Sequence, residues 1–129
     1  MNAPAKQLGK AIKIDLAQQI VEAYVGTERV LRFECVSGDK DHPTDRGSFK
    51  IMRKNHPYRS RAYDVQMNHA MFFTLDGKAL RQYHGVVPLR AVRSGISEWF
   101  GSHGCVRLAQ ADAKALYEWA PVGTTVKVF

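Results

Sequence analysis

Apolar and polar residues alternate along most of this chain, and this alternation limits what the chain can fold into. Successive side chains of a β-strand point to opposite faces, so a period of two indicates a strand with one buried face. The alternation recurs in short runs over residues 12–16, 21–25, 29–37, 48–52 and 125–129. Turn residues separate these runs, and the pattern therefore predicts a mostly β domain, either a sandwich or an open barrel.

Two further signals complete the predicted order of elements. The dipeptide Asp76-Gly77 is the strongest turn signal in the chain, and it predicts a hairpin that joins strands over 71–75 and 79–84. Only one segment has a helical period, and Pro121 ends it. The apolar face of that segment comprises Leu108, Ala111, Ala115, Leu116 and Trp119.

Length and composition are those of one globular domain. The chain has 129 residues, of which 45% are hydrophobic and 24% charged. Residues 1–8 are predicted to be a polar, mobile lead-in and residues 9–129 a single domain. The densest apolar run, residues 70–73, is far shorter than the ~18 residues that a membrane helix needs, so no transmembrane segment is predicted. No apolar segment follows Lys6, and the sequence as given therefore predicts no secretory signal peptide.

The charge of the chain favours anionic partners. Nineteen Lys and Arg residues against 12 Asp and Glu residues give a formal net charge of +7. Nucleic acid, an anionic membrane surface and a carboxylate-rich polymer such as bacterial cell wall all fit this charge. The densest basic group, over residues 50–61, is interleaved with loop-forming residues, which is typical of a solvated loop. Nucleic acid is therefore not the expected partner, and the charge does not decide the oligomeric state.

The two cysteines differ in their surroundings. Two cysteines exclude a disulfide scaffold and an all-cysteine zinc site. Leu31 and Phe33 flank Cys35 at strand spacing, which predicts that Cys35 lies in the core. Cys105 lies in a glycine-rich turn before the predicted helix and is expected to be exposed. Because the two side chains are expected in such different places, no disulfide is predicted between them.

Cys105 is the candidate nucleophile. Its segment reads Ser102-His103-Gly104-Cys105, with Arg107 two residues later. A thiol attacks a carbonyl carbon as thiolate, and a neighbouring imidazole or helix N-terminus favours that form. Glycine also lets successive backbone N–H groups converge on a developing oxyanion. The alternative is a small buried structural cysteine, which needs neither the histidine before it nor the arginine after it.

Two histidines are candidates for the general base. His103 lies in the same peptide as the thiol, and residues i and i+2 of an extended segment share a face. His84 ends a predicted strand and reaches the thiol only through tertiary folding, and spacing does not choose between the two. His42, His56 and His69 are interpreted as ordinary loop residues. No metal-binding spacing of histidine or cysteine is present, so the sequence predicts no metal site and no cofactor.

These residues resemble the catalytic domain of the L,D-transpeptidases, the YkuD family. The family pattern is a His-Gly pair, a spacer, and Ser-His-Gly-Cys followed by an aliphatic residue and Arg or Asn. Here it reads His84-Gly85, a spacer of seventeen residues counting Gly85, and then residues 102–107. The similarity extends over nearly the whole chain, including a loop at Pro43-Thr44. It implies a β-sandwich-like fold with one main helix after the cysteine.

The resemblance also implies a role for each residue of the pattern. Cys105 is the nucleophile, His84 the general base, and the Gly85 carbonyl orients the His84 ring. The backbone around His103, Gly104 and Cys105 forms the oxyanion hole. Arg107 holds substrate or braces the loop, and Ser102 is a local hydrogen-bonding partner.

The implied reaction takes place on peptidoglycan stem peptides, on the periplasmic or cell-wall side of the membrane. The thiolate attacks the bond between the third residue and the terminal D-alanine, and an amine of a second stem resolves the resulting thioester into a crosslink. If water enters instead, the same site is a hydrolase, either a carboxypeptidase or an endopeptidase, and a toxin aimed at a competitor's wall is one form of it. The alternative from another class is a basic, non-catalytic binding module for wall or nucleic acid.

Overall fold

The structure is a computed structural model, and it describes residues 9–61, 65–85, 88–89, 91 and 104–129. The predicted lead-in, residues 1–8, lies outside the described residues, as do Ser102 and His103.

The first three strands form an antiparallel meander, as the alternation predicts. They are β1 (Lys10–Asp15), β2 (Ile20–Val25) and β3 (Glu28–Val36). In the register of β1 and β2, Ile12 pairs with Ala23 and Ile14 with Val21, and all four side chains are fully buried. The period of two therefore reports the buried face of this sheet correctly.

The remaining elements complete one curled sheet and add a separate strand pair and a helix. They are β4 (Gly47–Lys50), β5 (Arg53–Asn55), β6 (Arg59–Ser60), β7 (Val65–Gln66), β8 (Ala70–Phe72), β9 (Ala79–Gln82), β10 (Val106–Leu108), α1 (Gln110–Trp119) and β11 (Thr125–Val128). Nine strands share the sheet in the order β4-β11-β1-β2-β3-β10-β9-β8-β5, and β6 pairs separately with β7. A mostly β fold with one main helix after the cysteine is thus confirmed.

The predicted hairpin forms, but its strands are shorter than the sequence suggests. β8 ends at Phe72 and β9 ends at Gln82, while Leu75 is 97% exposed in the turn. The turn closes with the Phe73 N–H donating to the Lys78 carbonyl over 3.1 Å. The apolar run that ends at Leu75 is therefore longer than the strand that it forms.

The helix forms where expected and buries part of the predicted face. Leu116 is fully buried and Trp119 packs against the same core, which agrees with the prediction. Ala111 is exposed and Ala113 is buried in its place, so the prediction was wrong for Ala111. Leu108, assigned to the helix by its spacing, is instead the last residue of β10, because an apolar residue at strand spacing before a helix also matches the i, i+3 pattern.

Alternation along β10 divides its side chains between two apolar clusters. Val106 and Leu108 belong to the main core beneath the helix, which also holds Cys35 and Leu116. Cys105 points the opposite way, into a smaller cluster described below. The two cysteines, both free, therefore lie on opposite sides of the sheet, and the prediction that Cys35 is a core residue is confirmed at 0% exposure.

Within the described ranges, no helix has the length and apolar character needed to cross a membrane.

Candidate active site

Cys105 immediately precedes β10, at the edge of the turn that the sequence singles out. It packs against Met67, Ala70, Phe72 and Ala79. Cys105 is only 2% exposed, so the expectation of an exposed thiol was wrong. The difference arises because the turn leads directly into a central strand, and the side chain before that strand enters the apolar cluster formed with β8 and β9.

Gly104 adopts a backbone conformation that suits glycine. Its φ is +94°, in the left-handed region that other residues rarely adopt. A Cβ added at this position would lie 2.8 Å from Cδ of Lys78 and 3.1 Å from the carbonyl oxygen of Pro43. The turn before Cys105 therefore depends on glycine both for its dihedral angle and for the space around it.

Thr44 holds the peptide that joins Gly104 to Cys105. Its hydroxyl donates to the Gly104 carbonyl over 2.7 Å and accepts from the Gly38 N–H at 2.9 Å, and the side chain is 5% exposed. In a planar trans peptide, the carbonyl oxygen and the following N–H point in opposite directions. The hydrogen bond from Thr44 therefore also fixes the direction of the Cys105 N–H, which is one of the predicted oxyanion donors.

Lys78 lies against the other side of Gly104. Its ammonium group contacts carboxylate oxygens of Asp45 at 3.1 Å and of Asp76 at 3.0 Å. Partial burial lowers the pKa of Lys78, but the hydrogen bonds to Asp76 and Asp45 outweigh it, and the pKa is raised overall. The aliphatic part of this side chain is thereby held in place as a wall of the turn.

Arg107 lies on the same face of β10 as Cys105, two residues later. It is 4% exposed, and burial together with the positive charge of Arg81 lowers its pKa to about 10. It therefore remains protonated at neutral pH. Its guanidinium carbon lies 5.9 Å from the centre of the Tyr83 ring, and Cys105 attracts its charge. The arginine that the sequence proposes for substrate binding is thus beside the thiol.

Arg81 was not predicted from the sequence. It is the register partner of Arg107 across the parallel pair β9–β10, and it is 5% exposed. Its Nη1 donates to the Gln82 carbonyl at 3.2 Å. A charged residue inside a short predicted strand is the signal that could have drawn attention to it.

His84 follows the end of β9 and is exposed. Its Nε2 accepts a hydrogen bond from the Asn68 N–H at 3.3 Å. Partial burial, followed by the positive charges of Arg81 and His69, lowers the pKa of His84 below 6.5. An Nε2 that accepts a hydrogen bond belongs to a neutral imidazole whose proton is on Nδ1.

The register of β9 and β10 separates His84 from Cys105. Val106 lies beside Leu80, which puts Cys105 beside Ala79 at the start of β9. Tyr83 donates its N–H to the Leu108 carbonyl at 2.8 Å, so His84 lies beyond the end of β10. From position 79 to position 84 an extended chain covers about 16 Å at about 3.3 Å per residue. The described residues thus place this histidine and the thiol at opposite ends of the strand pair.

His69, whose charge acts on His84, belongs to a group of stacked rings. His56 and His69 stack with ring centres 3.8 Å apart, and His69 lies 5.5 Å from the Tyr117 ring. His69 Nδ1 also lies 3.1 Å from Oε1 of Gln82. Gly85 is exposed, and the Tyr83 ring occupies the space that a Cβ at position 85 would need. Among the described residues, no group of three or more metal-binding side chains is placed to hold an ion.

Comparison with protein families gives one match over almost the whole chain. The sequence model of the YkuD family, the L,D-transpeptidase catalytic domain, matches residues 9–128. A comparison with curated proteins finds no similar sequence.

Solved structures with the same fold include several L,D-transpeptidases. An L,D-transpeptidase from Stackebrandtia nassauensis is 30% identical with a TM-score of 0.81, and the match covers 94% of this chain and 55% of that one. An L,D-transpeptidase from Xylanimonas cellulosilytica is 25% identical with a TM-score of 0.76, covering 94% and 60%. The C442S mutant of the Enterococcus faecium L,D-transpeptidase is 23% identical with a TM-score of 0.80, covering 94% and 50%. This chain thus spans between half and three fifths of the length of these relatives.

Proposed function

Since the chain belongs to the L,D-transpeptidase catalytic domain family, we propose that it is a cysteine acyl-transferase that acts on peptidoglycan stem peptides outside the cytoplasmic membrane. One observation carries the proposal. Cys105 directly follows a left-handed glycine, and Thr44 anchors the peptide between them with a buried 2.7 Å hydrogen bond. A nucleophile and a directed backbone N–H therefore come from one peptide, which is the arrangement that acyl transfer requires.

In the proposed reaction, the Cys105 thiolate attacks the carbonyl carbon of the third stem residue. The C–N bond to the terminal D-alanine breaks, its nitrogen takes up a proton, and a thioester to Cys105 forms. The amine of a second stem then attacks this thioester, gives up a proton to the general base, releases the thiolate and forms the new amide. The N–H groups of Cys105 and its preceding residues, His103 and Gly104, stabilise the oxyanion in both steps.

The general base remains a choice between two histidines. The family pattern assigns this role to His84, with the Gly85 carbonyl orienting its ring. The distance of His84 from the thiol along β9 favours His103, which precedes Cys105 by two residues in the chain. Ser102 is proposed as a hydrogen-bonding partner within the same turn.

The two histidines are distinguished by single variants. If His103 is the base, His103→Gln slows acylation of Cys105 by roughly 100-fold or more, in the range typical of a lost general base, and His84→Gln has little effect. The opposite result assigns the base to His84. Alkylation of each variant by iodoacetamide reports whether the thiol itself is still reactive.

The proposed function is tested by incubating the protein with purified disaccharide-tetrapeptides and analysing the products by mass spectrometry. Crosslinked dimers that disappear in Cys105→Ala identify a transpeptidase. Shortened monomers without dimers identify a hydrolase that uses the same thiol. If neither product forms, the proposal is wrong.

A second candidate, a non-catalytic basic binding module, is favoured by the burial of Cys105 and by its distance from His84. The net charge of +7 is compatible with an anionic wall polymer as its ligand. Such a module binds peptidoglycan equally well as wild type and as Cys105→Ala. A carbapenem distinguishes the two functions, because only a functional nucleophile forms a stable adduct of the expected mass at Cys105.

A further inference from the structure

Two histidine side chains hold one turn of the backbone through unprotonated ring nitrogens. This histidine-held turn is residues 67–69, which join β7 to β8. The Asn68 N–H donates to His84 Nε2 at 3.3 Å, and the His69 N–H donates to His56 Nδ1 at 3.1 Å. A ring nitrogen that accepts a hydrogen bond belongs to a neutral imidazole, and protonation replaces this acceptor with an N–H donor. Both hydrogen bonds are therefore lost when the two histidines take up protons.

The groups that face His56 and His69 do not favour a positive charge on either ring. The two rings stack with centres 3.8 Å apart, and Tyr117 of α1 faces both, at 6.1 and 5.5 Å. The Lys54 ammonium group lies 4.2 Å from the centre of the same tyrosine ring. From β9, the neutral amide of Gln82 places its Oε1 3.1 Å from His69 Nδ1. Among the described residues, no carboxylate forms an ion pair with either histidine.

His84 has similar electrostatic surroundings. Its partial burial, and after that the positive charges of Arg81 and His69, lower its pKa. It also has no ion pair with a carboxylate in the part of the chain that the structure describes. A folded state that prefers the neutral ring is fully stabilised above the ordinary histidine pKa of about 6.5 and loses that stabilisation as the pH falls below it.

The histidine-held turn lies against the thiol of the candidate active site. Met67 and Cys105 belong to one apolar cluster, and each is only 2% exposed. Met67 directly precedes the two residues whose N–H groups the histidines accept. His69 has a φ of +52°, in the left-handed region that residues other than glycine rarely adopt. Such a conformation persists only while the surrounding contacts hold it.

Two other backbone hydrogen bonds of the turn do not depend on pH. The Met67 N–H donates to the Tyr58 carbonyl at 2.8 Å, and the Asn68 carbonyl accepts from the Gln82 N–H at 2.9 Å. Protonation of the histidines therefore loosens the turn without detaching it. The expected result is a larger fraction of molecules in which Met67 has moved off the sulfur.

We propose that the histidine-held turn is a pH-sensitive cover over the Cys105 thiol, closed while His56 and His84 are neutral and loosened when they are protonated. As a statement about access to the sulfur, this inference stands by itself. As a control of acyl transfer, it rests on the proposed function of Cys105.

Access to the sulfur is measured with dithiodipyridine, a disulfide reagent that reacts with thiols in acid as well as at neutral pH. The test variant is His56→Asn, whose side-chain oxygen can accept the His69 N–H and takes up no proton in this range. At about pH 8, both proteins are closed and should react at equal rates. At about pH 5, below the ordinary histidine pKa of about 6.5, the wild type should react about threefold or more faster than His56→Asn. One hydrogen bond changes an equilibrium by a factor of about 2 to 12, which is the basis of this expectation.

Three further variants complete the experiment. Cys105→Ala gives the contribution of Cys35, which is subtracted. His42→Asn is the matched control, because His42 is also exposed but lies in the loop of Asp39, and it should behave as the wild type does at both pH values. Met67→Ala removes the cover itself and should react faster than the wild type at about pH 8.

Equal rates for the wild type and His56→Asn at about pH 5 overturn the proposal, as does a Met67→Ala variant that reacts no faster than the wild type. Slowing of His42→Asn in acid to the same extent as His56→Asn overturns the assignment to this turn. None of these results bears on the proposed function, which the products from disaccharide-tetrapeptides decide separately. If His56→Asn does not fold, as judged by circular dichroism, hydrogen exchange of the Asn68 and His69 amides in the wild type decides. Protection that is lost in acid, after correction for intrinsic rates, supports the cover, and unchanged protection overturns it.

Discussion

Thr44→Val tests whether the orientation of the Gly104–Cys105 peptide matters for the chemistry. The substitution keeps the shape of the side chain and removes the hydroxyl that joins Gly38 to Gly104. The buried carbonyl of Gly104 and the partly buried N–H of Gly38 lose their partner. An unsatisfied buried group costs about 1–3 kcal/mol, and the Gly38 N–H costs less because water reaches it in part, so the free energy of unfolding should fall by about 1–4 kcal/mol. That change corresponds to a decrease in Tm of at least about 3 °C.

The effect on acylation should be larger than stability alone explains. Loss of the Thr44 hydrogen bond frees the peptide to rotate, so the Cys105 N–H no longer points reliably at the oxyanion. Removing an oxyanion donor outright costs about 100- to 1,000-fold in rate, and misdirecting one should cost about 10- to 100-fold. The assay is the rate of carbapenem adduct formation by intact-protein mass spectrometry, well below the Tm of the variant. Alkylation by iodoacetamide, which forms no oxyanion, should be unaffected.

Two variants control this experiment. Thr44→Ser keeps the hydroxyl and should restore both stability and acylation. Thr124→Val removes one partly buried hydrogen bond, from the Thr124 hydroxyl to the Pro121 carbonyl at 2.7 Å, in a segment 19 residues after Cys105 in the sequence. It should lower the Tm without slowing the formation of the carbapenem adduct. If Cys105 of Thr44→Val is acylated at the wild-type rate, the reasoning is refuted, because the peptide then needs no hydrogen bond from residue 44.

Three further predictions concern other parts of the molecule. His84 should titrate below 6.5 in an NMR experiment; because the unfolded chain then binds more protons, the free energy of unfolding should fall as the pH drops below 6.5, and His84→Gln should weaken this dependence. A titration at or above 6.5 contradicts the assigned surroundings. Gly104→Ala, at a φ of +94° and against Lys78, should lower stability by about 1–3 kcal/mol and slow acylation, and a normal melting curve would show that the turn tolerates a side chain. Leu116→Ala should lower the free energy of unfolding by about 2–5 kcal/mol in urea denaturation, whereas exposed Lys114→Ala should change it by less than about 0.5 kcal/mol; equal effects would mean that the helix buries another face.

Local patterns predicted the elements better than their ends. The alternation at Ile12 and Ile14 identified β1 and its buried face, because the period of a strand is a property of the backbone alone. Leu108 was assigned to the helix but lies in β10, and Leu75 was assigned to a strand but lies in the turn. Near the end of an element, the spacing of one apolar residue does not distinguish a strand from a helix or a turn. Tertiary pairing decides such positions, and Leu108 pairs with Cys35 of β3.

The candidate site was only partly accessible from the sequence. The turn at Gly104 and Cys105 was recognisable because its chemistry lies in consecutive residues. Thr44 contacts Gly104 across a sequence separation of 60 residues. The sequence therefore indicated a loop at Pro43-Thr44 but gave no role to the threonine. Arg81 was missed for the same reason, because the strand register alone brings it beside Arg107.

By itself, the order of amino acids was enough to establish a mostly β domain with a single main helix and to identify the peptide that carries the sulfur, since both depend on neighbours close in the chain. Which groups meet that peptide was decided by the folded sheet. The parallel register of β9 and β10 brings Arg81 to Arg107 and moves His84 away from Cys105. Burial of one face of each strand sets that register, because a shift by one residue would turn the apolar side chains to the other face. The paired residues of β9 and β10 are far apart in the sequence, so local patterns do not reveal their pairing.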